Sequence, residues 1–192
     1  MIEAELKARV ANPESVRQLL IAATGDPERA EYADTYFDRS GELSRESREL
    51  RIRTITTPLG ARHLLTYKGV VLDQASGSKT EAETAVEDRN AAEALLSGLG
   101  YTPTIAFVKR CENYQLTTMT GRPVLATLVT VPELDGTYLE IETMADGETD
   151  MRAALDELRV VLLDLGISPG ALTTEQYTDA VKAARRASES LD

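Results

Sequence analysis

The chain has one cysteine, one histidine and no tryptophan in 192 residues. A lone Cys111 rules out an internal disulfide. Neither Cys nor His is numerous enough to build a zinc-holding cluster. No apolar run reaches the roughly 20 residues of a membrane-spanning helix, so no membrane partner is expected. No secretory leader is expected either, because Glu3 and Glu5 stand where a positive start belongs and no apolar segment follows. These absences fit a reducing cytoplasm. Cations are also in deficit: 21 Lys and Arg against 32 Asp and Glu give a net charge of −11. A field of that sign repels nucleic-acid phosphates, so no nucleic-acid partner is expected. There is no long linker, low-complexity block or internal repeat.

What is present is the composition of a soluble globular protein, 42% hydrophobic and 28% charged. The length suits one core. We expect a single domain over residues 1–180 and a frayed tail over 181–192.

The most informative pattern is charge at every second position. Glu3, Glu5, Lys7 and Arg9 alternate with Ile2, Ala4, Leu6, Ala8 and Val10. Alternate side chains of a strand share a face, so one face is apolar and the other carries both signs of charge. The pattern returns at Glu81 and Glu83 and at Glu140 and Glu142, and as a basic pair at Arg51 and Arg53. Lys68 and Lys109 occupy further predicted strands. Period and turn residues predict strands over 2–10, 31–38, 50–56, 62–71, 79–86, 104–118, 123–131 and 137–144. Helices are predicted over 13–23, 88–98, 149–165 and 173–187, the first capped by Asn12 with Pro13 following. The fold expected is α+β, an eight-stranded antiparallel β-barrel with helices packed outside and polar groups facing its interior.

Six carboxylates and six cations in one lumen cannot be buried dry and unpaired. Arginine forks suit bidentate phosphate binding, and lysines add point charges. Carboxylate clusters bind hard cations such as Mg²⁺ or Mn²⁺. Phosphoryl and nucleotidyl transfer depend mainly on positioning and electrostatics, so no Ser-His-Asp set is required.

The opening Glu-x-Glu-x-Lys resembles the signature of the CYTH superfamily, the triphosphate tunnel metalloenzymes. That superfamily includes class IV adenylyl cyclases, thiamine triphosphatases and inorganic triphosphatases. The resemblance covers nearly the whole chain. Asp34–Asp38 resembles its second strand, Thr66–Gly69 its lysine strand, Lys109 the Lys of a Lys-x-Arg motif, Tyr138–Glu142 its closing acidic strand, and Thr174–Tyr177 a Ser-Tyr segment of cyclase-like members. It implies a metal-dependent enzyme with Mg²⁺ or Mn²⁺ as cofactor. Glu3, Glu5 and Lys7 are implied as catalytic, and Lys7, Arg51, Arg53, Lys68 and Lys109 as holding a small-molecule triphosphate. Glu3, Glu5, Glu81, Glu83, Glu140 and Glu142 are implied as metal ligands. The activity expected first is conversion of ATP to cyclic AMP and pyrophosphate; hydrolysis of inorganic, thiamine or nucleoside triphosphate, or binding without turnover, are the alternatives. A homodimer through the outer helices is a further expectation.

Two positions depart from the pattern. Cys111 stands where the motif has its arginine, with Arg110 one position off and facing the other way. No carboxylate lies between Val124 and Pro132, where relatives have a metal-binding Asp near the position of Thr130; Glu133 or Asp135 would substitute only from an inward-folded loop. His63 is read as a surface residue, Tyr32, Tyr36 and Tyr67 as packing, and Lys182, Arg185 and Arg186 as a solvated helix face. Gly77–Thr80 lacks the adjacent Gly-Lys and the strand-loop-helix context of a phosphate loop.

Overall fold

The opening alternation forms a strand, β1 (Ile2–Val10). The structure, a computed structural model that describes residues 1–190, closes it with seven others into a barrel. The chain continues through α1 (Pro13–Thr24), β2 (Glu28–Asp38), β3 (Glu49–Thr57), β4 (Gly60–Val71) and β5 (Lys79–Val86). It ends with α2 (Arg89–Gly98), β6 (Thr102–Thr117), β7 (Pro123–Thr130), β8 (Thr137–Ala145), α3 (Glu148–Asp164) and α4 (Tyr177–Glu189). The strand order is β1-β5-β4-β3-β2-β6-β7-β8, every pair antiparallel, and β8 returns to β1. No described helix is long and apolar enough to cross a membrane.

The barrel is packed from the outside. Ile2, Ala4, Leu6, Ala8 and Val10 point away from the lumen and join Leu139 and Ile141 of β8 against Met151, Leu155, Leu158 and Leu162 of α3. Those helical positions recur at three and four residues, so α3 presents one apolar stripe to the sheet. Val16 and Leu20 of α1 enter the same core. On the other wall, Ala92 and Leu96 of α2 cover Phe37 and Ile52. With the apolar faces used on the outside, the period of two leaves the charged faces no place but the lumen.

Local chemistry sets the boundaries. The Asn12 side chain accepts from Ser15 N at 3.2 Å to cap α1, and Asp88 caps α2 through Asn90 N and Ala91 N. A Cβ on Gly69 would collide with Thr80 Oγ1, so a larger residue there would have to turn the Thr80 side chain aside where β5 meets β4, beside the register shift between Lys68 and Val71.

One expected boundary moves. A helix from 173 was predicted, but residues 172–176 are not helical: Leu172 bridges to Ala8 of β1 and Thr173 N donates to Lys7 O at 2.8 Å. The sheet takes the backbone groups that an earlier helical turn would have used, so α4 begins at Tyr177. It runs to Glu189; the last residues of the expected frayed tail, 191–192, lie outside the described residues.

Candidate functional site

The register of the strands gathers alternate residues around one cavity of about 210 Å³. Seven carboxylates line it, Glu3, Glu5, Glu49, Glu81, Glu83, Glu140 and Glu142, and seven cations, Lys7, Arg51, Arg53, Arg62, Lys68, Lys79 and Lys109. The lumen is therefore near charge balance, and the excess negative charge of the chain lies elsewhere. All the candidate site residues read from the sequence are in this lining. Arg9 is not: it is exposed at the rim, its Nη2 donating to Glu175 at 2.7 Å, its guanidinium 5.0 Å from the Tyr138 ring.

The lining divides into two corners. In the acidic corner, Glu3, Glu5 and Glu142 each place a carboxylate oxygen within 4.8 Å of the others. Glu5 and Glu142 are register partners across β1 and β8. Burial, offset in part by Lys68 and reinforced by Glu3 and Glu140, raises the Glu5 carboxyl above its ordinary range. Burial together with Glu3 and Glu5 pushes Glu142 up further. Three clustered carboxylates, Glu3 buried and Glu5 and Glu142 partly so, are a donor set suited to a hard divalent cation. Lys68 already supplies one positive charge there: its Nζ is bonded to Glu3 and lies 3.3 Å from Glu81 and 3.8 Å from Glu5. Burial opposes its charge, but the three carboxylates more than compensate, and it stays an ammonium.

Of the five expected phosphate contacts, Lys68 lies in the acidic corner, and the four in the basic corner are not equivalent. Arg53 is committed to Asp34, its register partner, by two hydrogen bonds of 2.6 and 2.7 Å. Arg51 Nη2 reaches Thr66 Oγ1 at 3.3 Å, while its Nε is buried without a hydrogen-bond partner. Lys109 pairs with Glu140 at 3.2 Å. Glu140 is deeply buried, yet Lys109 and Lys7 hold its carboxyl well below the usual range. Lys7 has no carboxylate within the 4.0 Å of an ion pair among the described residues; its Nζ stands 4.6 Å from the Tyr177 ring centre, and that of Lys109 stands 4.9 Å from it. An uncommitted ammonium and an orphaned guanidinium N–H beside an acidic corner are what an anion accompanied by a cation would satisfy.

Of the six carboxylates expected to ligate metal, three come together in the acidic corner. Glu81 adjoins them through Lys68, whereas Glu83 accepts from Thr66 Oγ1 at 2.7 Å and Glu140 belongs to Lys109. The sequence reading missed Asp34 as a partner, Glu49 with Lys79 (2.5 Å apart), Arg62 and Tyr177. Glu49 and Lys79 were legible, since each extends an alternation already noted by one step, to Arg51 and Arg53 and to Glu81 and Glu83.

The two departures have structural answers. Cys111 is buried, and burial pushes its thiol up to about 12. Arg110 pairs in register with Thr130 on the exposed outer face. Glu133 does not fold inward; it accepts from Arg185 Nε at 2.6 Å in a surface ion pair, with Arg185 on the exposed face of α4. Thr127 faces Glu140 in register and donates to Asn113 Oδ1 at 3.0 Å, so neutral polar groups hold this part of β7. His63 Nδ1 lies 2.9 Å from Thr54 Oγ1, away from the cavity.

Comparison with known proteins agrees with this geometry. The family model described as the CYTH domain matches residues 1–177. A candidate adenylate cyclase of Methanocaldococcus jannaschii, MJ0240, is 26% identical over 181 residues, spanning 93% of this chain and 98% of that protein. Among solved structures, the PH1819 protein of Pyrococcus horikoshii has a TM-score of 0.82 at 25% identity, with 94% of this chain and 98% of that chain covered. A Hippeastrum candidate adenylyl cyclase, described as having a dominant triphosphatase activity, has a TM-score of 0.63 at 18% identity, with 95% of each chain covered. At that identity the likeness is one of fold.

Proposed function

The chain belongs to the CYTH domain family, and we propose that it is a divalent-metal-dependent enzyme that binds a triphosphate inside the barrel and cleaves it. The observation that carries this reading is the pairing, in one lumen, of the Glu3, Glu5 and Glu142 corner with the uncommitted Lys7 ammonium and the orphaned Arg51 Nε. A polyphosphate answers all of these at once, because its oxygens satisfy the cations and its charge recruits a divalent ion to the carboxylates.

The donor set fits such an ion. Glu3, Glu5 and Glu142 would hold Mg²⁺ or Mn²⁺, with Glu81 adjacent; the bound ion supplies charge to phosphate oxygens and polarises phosphorus. The rest of the work falls to the protein's own side chains. Lys7 and Arg51 bind phosphate oxygens directly. Arg53, locked on Asp34, contributes a fixed positive field and holds Arg51 apart by repulsion. Lys109 holds Glu140 ionised and adds a second ammonium near Lys7. Glu3, Glu5 and Lys7 are the residues we assign to the reacting phosphoryl group, since they share the lumen face of β1, where the two corners meet.

The first activity within this reading is cyclisation of ATP to cyclic AMP and pyrophosphate, which the name of the Methanocaldococcus jannaschii relative supports. The second is phosphohydrolysis, favoured by a lining dominated by charged groups with few apolar ones to seat a base. The two differ in which phosphorus is attacked. Chromatography of products from ATP and from inorganic triphosphate, with Mg²⁺ or Mn²⁺, separates them. Cyclic AMP with pyrophosphate establishes the cyclase, and orthophosphate establishes the hydrolase. Tight binding with neither product would leave a non-catalytic binder, the reading that Cys111 and the carboxylate-free β7 favour.

A further inference from the structure

Tyr177 is the first residue of α4 and more than nine-tenths buried, yet its hydroxyl has no hydrogen-bond partner among the described residues. We propose that Tyr177 Oη is a further anion-binding group of the tunnel, donating a hydrogen bond to a phosphoryl oxygen held between Lys7 and Lys109. The proposal rests on the triphosphate reading of the cavity and deepens it.

Three features fix the Tyr177 ring at this place in the lining. Its ring centre is close to both ammoniums, 4.6 Å from Lys7 Nζ and 4.9 Å from Lys109 Nζ. The ring is fixed from behind by Tyr138, edge-on at 5.1 Å, and by Phe107 at 6.4 Å. Its backbone is fixed by the segment before it, which is stitched to β1 through Thr173 N and Lys7 O. The residue that positions Tyr177 is therefore the one whose ammonium lacks a partner. In addition, α4 begins without a side-chain cap, so the positive end of a 13-residue helix opens beside this spot.

A buried hydroxyl without a partner is costly, and a protein keeps one where a ligand completes it. The competing partner is the Glu140 carboxylate, which lies within reach of the Tyr177 hydroxyl and interacts with it, although the contact falls short of regular hydrogen-bond geometry. A purely structural role would have the hydroxyl serve Glu140 in the free protein. A ligand role leaves it idle until an anion arrives. The two differ in the sign of one measurement.

The test compares wild type with Tyr177→Phe, using inorganic triphosphate with Mg²⁺ as the probe. Calorimetric titration gives the affinity, and thermal unfolding without ligand gives the stability. We expect Tyr177→Phe to unfold at the same temperature as wild type or higher, because it loses an unpaired group. We expect it to bind triphosphate roughly tenfold more weakly or worse, the loss of a hydrogen bond to a charged group. Equal affinity would overturn the proposal while leaving the triphosphate reading intact. A clear fall in the ligand-free unfolding temperature would also overturn it, by assigning the hydroxyl to Glu140. Failure of wild type itself to bind triphosphate would overturn both.

Discussion

Arg53 donates from Nε and Nη2 to the two carboxylate oxygens of Asp34, at 2.6 and 2.7 Å, with Asp34 fully buried between β2 and β3. This pair is the fixed point of the basic corner, because it locks Arg53 in two short hydrogen bonds while Arg51 makes only longer carboxylate contacts, 3.8 Å to Asp34 and 3.9 Å to Glu83. Replacing Asp34 by Asn strands a buried guanidinium, which costs roughly 3–5 kcal/mol where one partner of a buried pair is removed. Urea unfolding at neutral pH measures it; a loss below about 1 kcal/mol would show that Arg53 finds another partner.

The same carboxylate sets an acid limit. Burial opposes its charge, but Arg53 and Arg51 bring its pKa down to about 2, below the ordinary value. A group whose folded pKa is depressed stabilises in full above the unfolded value of about 3.9, and the stabilisation is lost as pH falls through that value towards 2. The stability gap between wild type and Asp34→Asn should therefore be constant from pH 7 to 5 and shrink below pH 4. A gap that widened in acid would contradict the assignment.

The acidic corner should behave in the opposite sense. Glu142 is buried against Glu3 and Glu5, and its carboxyl is raised by them. Glu142→Gln should match or exceed wild-type stability in the presence of EDTA, since a repelling charge is removed. The same variant should lose the divalent-dependent stabilisation and nearly all turnover. Thermal unfolding with and without Mn²⁺, alongside product release, reads both. Retention of the Mn²⁺ stabilisation would take the ion away from this corner.

Lys7 and Arg53 line the same cavity but should fail differently. Lys7→Gln removes an ammonium with no partner, so stability should change little while triphosphate affinity falls roughly 10- to 100-fold. Arg53→Gln abandons Asp34 and should unfold at a markedly lower temperature. Equal stability losses in the two would show that Lys7 is structural.

Cys111 should be inert in the native state. Its thiol is buried and pushed up to about 12. At pH 8 that leaves a thiolate fraction of about one in ten thousand, and the thiolate is the reactive species. A thiol reagent should label the denatured chain at once and the native chain only at the rate of opening. Rapid native labelling would place Cys111 at the surface.

Much of the site could be read from spacing alone. Glu3, Glu5 and Lys7 share a face because a strand repeats every two residues, and that held for Arg51 with Arg53, Glu81 with Glu83 and Glu140 with Glu142. The start of α4 was misjudged because propensity is local, whereas Leu172 and Thr173 are bonded to β1, a strand more than 160 residues earlier. Arg9 was assigned to the lumen on parity alone; its place near the end of β1 puts it at the rim instead.

Periodicity thus determined which side chains travel together, since the two faces of a strand are a property of backbone geometry. It could not determine which groups within the lumen pair off. That Arg53 is spent on Asp34 while Lys7 remains free, that Lys68 enters the acidic corner, and that Tyr177 closes over two lysines all depend on barrel closure. Those contacts join residues remote in sequence, and their strengths vary with distances of a few ångströms in a buried, weakly screened interior.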